Sequence, residues 1–357
     1  MKKLIFAVLM ISAVLPIACH PLANVTGPVS NPIPSATPTA TVPTSTPLFT
    51  ATPSPTATPS STPTNTATPS APIPTSATAL TYTGQWGSTG SGNGQLETSS
   101  TGVVTDSLGN VYIADRNNYR IEKFDSAGNY LGQWGTPGSG AGQFNTLAGI
   151  CIDSSNNLYT VDDGNYLVQK FNSSGTCLGT WGDHGSGNGQ LLQPRGVAVD
   201  PAGNVYVVDT YEQEIQKFTN TGTFITSWTT NGSWDNSNSN PDGICTDQWG
   251  HVYTPDYNNS QVYKYSNTGT YECAIGTKGY GPGQFGTLSC GVCVDKYGIC
   301  YVTDYSNQRV SEFTTTGNFL CQWGNTGTGA LGKIDYLCLS PSGTVYVVDG
   351  TSVKEFN

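Results

Sequence analysis

Histidine is scarce in this chain, which limits the metal and acid–base chemistry that its residues can support. Among 357 residues only His20, His184 and His251 are histidines. His20 precedes the repeats described below, His184 lies between two of them, and His251 lies in a turn within another. Because these positions should not meet in the folded chain, neither a zinc site built on several histidines nor a Ser-His-Asp triad is expected. We predict no metal, no cofactor and no catalytic residues.

Aspartate, in contrast, recurs at a nearly constant interval. Intervals of 47, 47, 47, 48 and 45 residues separate Asp115, Asp162, Asp209, Asp256, Asp304 and Asp349. A ring of carboxylates could bind a calcium ion through its oxygens. An aspartate at the end of a strand more often caps the following turn with its own side chain. We favour the capping interpretation and keep the ion site as the alternative.

The chain has ten cysteines. Four of them occupy the same position in different repeats, namely Cys151, Cys245, Cys293 and Cys338. A small apolar thiol suits a crowded inner strand. Equivalent residues of separate repeats should lie too far apart for a disulfide, which needs Cα atoms roughly 4.4–6.8 Å apart. We therefore expect free thiols.

From Tyr82 onward the chain consists of repeats of one unit. A tyrosine lies three residues before each recurring aspartate, at Tyr112, Tyr159, Tyr206, Tyr253, Tyr301 and Tyr346. One copy contains four short runs typical of strands, separated by turn residues, at 196–199, 205–208, 215–218 and 223–228. No run is long enough for a regular helix. A unit of about 47 residues with four strands corresponds to one blade of a β-propeller.

The chain ends indicate how the ring closes. The last copy stops at its third strand, 353–357, and has no fourth strand. The first copy is preceded by an unpaired fourth strand at 82–87. The sequence therefore predicts an all-β fold: a six-bladed β-propeller of four-stranded antiparallel blades, closed by the amino-terminal strand, which completes the last blade.

Aromatic and amide side chains cluster in the loops between the second and third strands. All of these loops open on one face of the ring, which we name the loop face. Tyrosine is amphipathic and has few rotamers, so together with asparagine it suits stacking on sugars or gripping a peptide. The alternative is that these tyrosines pack against the neighbouring blade. The candidate ligand-binding residues are Tyr119, Tyr166, Tyr211, Tyr257, Tyr305, Asn118, Asn165 and Asn258, with Trp234 in the divergent segment 229–242.

Composition argues against one class of partner. Charged residues make up 11% of the chain, the formal net charge is −10 and the pI is about 4.6. A nucleic-acid-binding surface needs clustered Lys and Arg. We therefore predict no nucleic-acid partner.

The amino-terminal segment reads as an export signal. Lys2 and Lys3 precede an apolar run, 4–18, that is too short to span a bilayer. The end of this run resembles a bacterial lipoprotein signal in which Cys19 is lipidated, and simple secretion with cleavage near Ala18 is the alternative. Residues 20–80 are rich in Pro, Thr and Ser, which predicts a disordered stalk. The predicted organisation is a signal peptide at 1–19, a linker at 20–80 and the propeller at 81–357.

The repeats resemble the NHL-repeat family. Its units read roughly Gly-Ile-Ala-Val-Asp, Gly-Asn-Ile-Tyr-Val-Ala-Asp and Asn-x-Arg-Ile-Gln-Lys-Phe, and this chain has counterparts such as Gly196–Asp200, Gly203–Asp209 and Ile215–Phe218. The resemblance implies a six-bladed propeller that binds protein partners, RNA or extracytoplasmic ligands. A few related propellers are enzymes, such as a metal-dependent lyase of amidated-peptide precursors. Only Arg120 and Arg309 keep the consensus arginine, which weakens the transfer of a family ligand site.

We therefore expect a non-catalytic, extracytoplasmic binding module that recognises a protein or glycan through the loop face. The alternatives are a propeller-type hydrolase or lyase and a structural envelope or adhesion scaffold. The chain is expected to be monomeric, exported and either secreted or held at the cell surface, with membrane contact only through a lipid anchor at Cys19.

Overall fold

A computed structural model describes residues 78–230, 239–286, 288–332 and 334–357, without the side chains of 288–290. Within these ranges the regular structure is β-strand, apart from one turn of 3-10 helix at Arg116–Asn118. No helix in these ranges is long and apolar enough to cross a membrane. The predicted signal peptide with Cys19, nearly all of the predicted linker, and Trp234 lie outside the described residues.

Six four-stranded antiparallel sheets form the blades. The first strands are β2 (Ser100–Thr105), β8 (Leu147–Ile152), β12 (Pro194–Val199), β16 (Cys245–Thr246), β22 (Leu288–Val294) and β26 (Ile334–Leu339). The second strands are β3 (Val111–Asp115), β9 (Leu158–Asp162), β13 (Val205–Asp209), β17 (Val252–Asp256), β23 (Ile299–Asp304) and β27 (Val345–Asp349).

The remaining strands form the outer half of each blade. The third strands are β4 (Arg120–Phe124), β10 (Leu167–Phe171), β14 (Glu214–Phe218), β18 (Gln261–Tyr265), β24 (Arg309–Thr314) and β28 (Ser352–Phe356). The fourth strands are β5 (Tyr130–Trp134), β11 (Cys177–Trp181), β15 (Phe224–Thr229), β19 (Tyr271–Ile275), β25 (Phe319–Trp323) and β1 (Tyr82–Trp86). Two connections between blades add short parallel pairs, β6 (Thr136–Pro137) with β7 (Gln143–Phe144) and β20 (Thr277–Lys278) with β21 (Gln284–Phe285).

The first strands contact one another in ring order, and the first strand of blade six contacts that of blade one. The ring is closed by β1, which pairs with β28 in the register Tyr82↔Phe356 and Trp86↔Val353. We call this pairing the clasp. Thr81 and Asn357 extend it with two backbone hydrogen bonds of 2.8 and 3.0 Å. The predicted six-bladed ring with amino-terminal closure is confirmed.

Strand direction separates the two faces of the ring. Each second strand ends on the loop face, at the recurring aspartate, and the connections between blades return to the same face. The turns between first and second strands and between third and fourth strands lie on the opposite face. Tyr82 pairs with Phe356, at the carboxy-terminal end of β28, which lies on this opposite face. Residues 78–81 therefore approach the ring from the opposite face, which we name the linker face.

A polar unit inside the blades repeats on the linker-face side. In blades one to four the tyrosine of the second strand is almost fully buried, and its hydroxyl donates to an aspartate in the preceding turn. For Tyr206 and Asp200 the O···O distance is 2.8 Å. A lysine ammonium on the third strand lies over each ring, 4.9–5.7 Å from the centroid, a cation–π geometry. We name this unit the lysine site; the lysines are Lys123, Lys170, Lys217 and Lys264.

Candidate binding face

The structure gives the predicted tyrosines different surroundings. Tyr211 is 63% exposed. Tyr119 and Tyr166 adopt left-handed backbone conformations (φ 55° and 59°) and pack against the core, and the Tyr166 ring lies 4.4 Å from the His184 ring. Tyr257 and Tyr305 are half-buried. Among the predicted tyrosines only Tyr211 presents most of its side chain to solvent.

The tyrosines differ because they occupy different loop positions. Tyr119 and Tyr166 lie four residues after the recurring aspartate, where the backbone of these loops is left-handed; Gln213, Ser260 and Gln308 share that position and conformation. A non-glycine residue in this conformation is uncommon and here ends the turn. Tyr280, 78% exposed in the connection between blades four and five, is a further loop-face aromatic that the sequence interpretation missed.

Two predicted asparagines hold their own loops. Asn118 Nδ2 donates to Asp115 Oδ2 at 2.7 Å and to the Gly90 carbonyl at 3.0 Å. Asn165 makes the equivalent bonds to Asp162 and Gly138. The backbone N–H of Asn258 donates to Asp256. The side chains of Asn118 and Asn165 therefore position the loop face, and a direct ligand contact by them stays a prediction.

The recurring aspartates cap the loops, as the favoured interpretation predicted. Asp162 is buried and accepts the backbone N–H groups of Asn145, Thr146 and Asn165 at 2.8–3.2 Å. Asp209 does the same for Leu192 and Gln193. Each carboxylate thus ties the connection entering a blade to the turn after its second strand. Across the described ranges no group of three or more His, Cys, Asp or Glu side chains is arranged to hold a metal ion.

The two consensus arginines clamp the connections that lead into their blades. Arg120 donates to the carbonyls of Ser91, Gly92 and Gln95 at 2.7–2.9 Å, and Arg309 binds the equivalent carbonyls before blade five. Both also pair with the recurring aspartate of their blade. Their guanidinium groups therefore act in the scaffold beneath the loop face.

The Arg120 clamp contains a buried carboxyl group that should make stability depend on pH. Glu122 is 0% exposed, its Oε1 lies 2.7 Å from Arg120 Nη2, and burial raises its pKa to about 7 although Arg120 acts to lower it. The folded state therefore keeps a proton that the unfolded chain releases near pH 4.5. The free energy of unfolding should fall as pH rises from about 4.5 to 7, by up to about 3 kcal/mol from this group.

Glu122→Gln is expected to remove this pH dependence, since blades two and three already carry Gln169 and Gln216 at the same position. Denaturant unfolding of both proteins at pH 5 and pH 8 measures the effect. The free energy of unfolding of the variant, relative to that of the parent, should be higher at pH 8 than at pH 5. A stability difference that is the same at both pH values would contradict the assignment.

The central channel is narrow and lined by the first strands. It encloses a cavity of about 250 Å³, and Cys151, Cys245, Cys293 and Cys338 contribute to its wall. All eight cysteines whose side chains the structure describes are free, as predicted for these four. Burial raises the pKa of the four channel thiols, so they remain protonated and weakly nucleophilic.

One residue breaks the symmetry of this channel. In blades one, two, three and five the first strand carries a glycine that lets the next blade approach closely; a Cβ on Gly149 would lie 2.6 Å from the Arg195 carbonyl oxygen. Blade six has Tyr336 at this position. The Tyr336 hydroxyl reaches across the channel to the Ala148 carbonyl of blade two, at 3.5 Å. The loop-face end of the channel is therefore partly closed by an aromatic side chain.

Arg195 lines the same cavity as Tyr336 and forms an ion pair at this mouth. Arg195 Nε lies 3.7 Å from Asp163 Oδ2, and both side chains are partly exposed. Burial raises the pKa of Asp163, while the nearby Arg195 and Arg116 act to lower it. Sequence reasoning missed this mouth, although the departure from glycine at Tyr336 was a signal for it.

The two described histidines lie apart from the mouth. His184 makes a T-shaped ring contact with Tyr166 on the loop face. His251 lies on the linker face, where its Nδ1 is 2.8 Å from Asp247 Oδ2. The prediction that they do not meet is confirmed.

Similar solved structures share the fold at low sequence identity. A protein of unknown function from Bacteroides thetaiotaomicron is 16% identical, with 76% of each chain covered and a TM-score of 0.59. An auxiliary nutrient binding protein from Bacteroides ovatus is 12% identical, with 73% of this chain and 70% of that chain covered and a TM-score of 0.55.

A further similar structure is a catalytically inactive virginiamycin B lyase from Staphylococcus aureus, in which a histidine is replaced by alanine, with quinupristin. It is 11% identical, with 73% of this chain and 80% of that chain covered and a TM-score of 0.51.

Two family models match parts of the chain. A family described as a 6-bladed beta-propeller matches residues 93–181, and the NHL repeat matches residues 191–218. No curated protein sequence matches. Together with the six blades described above, these matches identify the chain as a six-bladed β-propeller that carries NHL-repeat sequence.

Proposed function

We propose that this protein is an exported, non-catalytic binding module whose loop face recognises a protein or glycan outside the cytoplasm. The observation that carries the proposal is the direction of β1. Because residues 78–81 reach the ring at the linker face, a chain held by its amino terminus turns the loop face away from its attachment. Loops positioned on a rigid scaffold are the usual place for recognition.

The chemistry of the loop face supports binding. Tyr211 and Tyr280 expose most of their side chains, and the channel mouth on the same face adds Tyr336 and the Arg195–Asp163 pair. Exposed tyrosines beside charged groups are typical of recognition surfaces. One similar structure is a nutrient binding protein. Export, with lipid attachment at Cys19 or simple secretion, is part of the same proposal and rests on the amino-terminal sequence.

A lyase is the second candidate, because one similar structure is a lyase for which loss of a histidine goes with loss of catalysis. In the part of this chain that is described, neither histidine lines the channel mouth. The binding module is therefore the function that the site supports better.

Binding by the full chain can be tested on a glycan array and against candidate protein ligands. The double variant Tyr211→Ala, Tyr280→Ala should weaken a detected interaction by roughly tenfold or more, as loss of aromatic anchors usually does. The control is Trp249→Ala, an exposed aromatic residue (49%) in a turn of the linker face. If the control loses binding while the double variant binds fully, the recognition surface lies on the linker face and the proposal is wrong.

A further inference from the structure

Blade five departs from the lysine site that blades one to four share. In blade three, Lys217 lies over the Tyr206 ring and donates to the Asn267 carbonyl of the next blade at 2.9 Å. In blade five the register is the same, since Tyr301 pairs with Glu312 as Tyr206 pairs with Lys217. A carboxylate thus stands where blades one to four carry an ammonium group.

Around Glu312, blade five keeps the turn aspartate of the lysine site and changes two of its other groups. Asp295 occupies the position of Asp200, and its Oδ1 accepts two backbone N–H groups of its turn. Ile299 replaces the asparagine that in blade three bonds the second carboxylate oxygen. Tyr301 is only 6% exposed, and within the described ranges its hydroxyl makes no hydrogen bond, unlike those of the tyrosines in blades one to four.

These groups border a cavity of about 750 Å³ on the linker face. Elsewhere in the ring, the hairpin between the third and fourth strands of one blade covers the equivalent place in the preceding blade. Asn267, whose carbonyl accepts from Lys217, belongs to such a hairpin. Blade six has no such hairpin, because its third and fourth strands are the two chain ends. Leu80, Ile299 and Leu339 contribute apolar side chains to the wall, and Asp106, Asp153 and Lys296 contribute charged ones. The Lys296 ammonium lies over the Tyr297 ring, 5.1 Å from its centroid.

We propose that this cavity binds a primary alkylammonium group, with the ammonium between Glu312, Asp295 and the Tyr301 hydroxyl. The chain itself shows which group the position accepts, since four of its blades fill it with a lysine side chain. Trp323 Nε1 donates to Glu312 Oε1 at 2.7 Å and so orients the carboxylate toward the cavity. The apolar wall suits the methylene chain of a lysine side chain or a diamine. No lysine lies between Lys3 and the repeats, so the adjoining linker carries no ammonium of its own.

Calorimetry on the full chain tests the proposal with N-acetyl-lysine methylamide, with cadaverine, and with the neutral N-acetyl-norleucine methylamide. Both ammonium probes should bind saturably and the neutral probe should not. Glu312→Gln, which keeps an acceptor for Trp323, should weaken binding about tenfold or more through loss of the charge-assisted contact. Tighter binding of the lysine amide than of cadaverine assigns the site to peptide lysines, and the reverse order assigns it to free diamines.

Blade six offers a matched control. Glu355 occupies the same register and accepts from Trp86 Nε1 at 2.7 Å, but Ser340 replaces the aspartate there. Glu355→Gln should leave binding unchanged. Glu312→Lys, which restores the lysine of blades one to four, should abolish binding; if that variant does not fold, Asp295→Asn takes its place with an expected loss of roughly fivefold. Equal effects of Glu312→Gln and Glu355→Gln, or binding of the neutral probe, would overturn the proposal.

Discussion

A chain that lacks residues 1–86 is expected to lose the closed ring. Without β1, the edge of β28 is left unpaired and the hydrophobic faces of Tyr82 and Trp86 are missing from blades six and one. Several backbone hydrogen bonds and two aromatic side chains disappear together. The loss should be about 5 kcal/mol or more, which is comparable to the whole stability of a typical domain.

Thermal and denaturant unfolding, with tryptophan fluorescence as the signal, measure this effect. The control lacks residues 1–77 and keeps every amino-terminal residue of the clasp. It should unfold at the midpoint of the full chain, whereas the 1–86 deletion should unfold at much lower temperature or express as aggregate. Equal midpoints for the two deletions would mean that the ring is stable without its amino-terminal strand.

Replacing one recurring aspartate should also destabilise the ring strongly. Asp162→Ala leaves the N–H groups of Asn145, Thr146 and Asn165 without their acceptor in a buried place. Because each unsatisfied buried donor costs about 1–3 kcal/mol, the expected loss is about 4 kcal/mol in the free energy of unfolding.

The matched substitution is Asp125→Ala, which removes an aspartate with similar backbone partners, Ala127 and Asn129, from an exposed turn. Water can replace those contacts, so its effect should be small. If both variants lose a similar free energy of unfolding, the burial of Asp162 is not the reason for its large expected effect. Stabilisation of the parent, but not of Asp162→Ala, by added calcium would instead support the ion-site alternative.

The blade architecture was predictable because it depends on periodicity. The regular spacing of the aspartates and of the preceding tyrosines defined the strand order and the number of blades. The incomplete copies at the two chain ends predicted the clasp. Strand ends were less certain: the first strand of blade three begins at Pro194 rather than at Gly196. The pairing of Pro194 with Asp209 across an irregular register accounts for the two extra residues.

The binding face was only partly predictable, because side chains in loops respond to contacts with other blades. Tyr119 and Tyr211 are both loop tyrosines, yet one packs inward and the other is exposed, and their distance from the recurring aspartate separates them. Asn118 looks available in sequence and bonds Asp115 in the structure. Tyr336 could have been noticed as a departure from glycine, but its reach across the channel depends on the bulge between Ile334 and Leu337.

The orientation of β1 also has a mechanical consequence. A pull on residues 78–81 would act on the Tyr82 end of the strand, while a ligand on the loop face would hold the ring from the other side. Tension between them runs along the strand axis, so the backbone hydrogen bonds between β1 and β28 are loaded together in shear rather than peeled apart one by one. A force applied at the amino-terminal end of β1 therefore meets the clasp in the geometry that resists separation of its two strands.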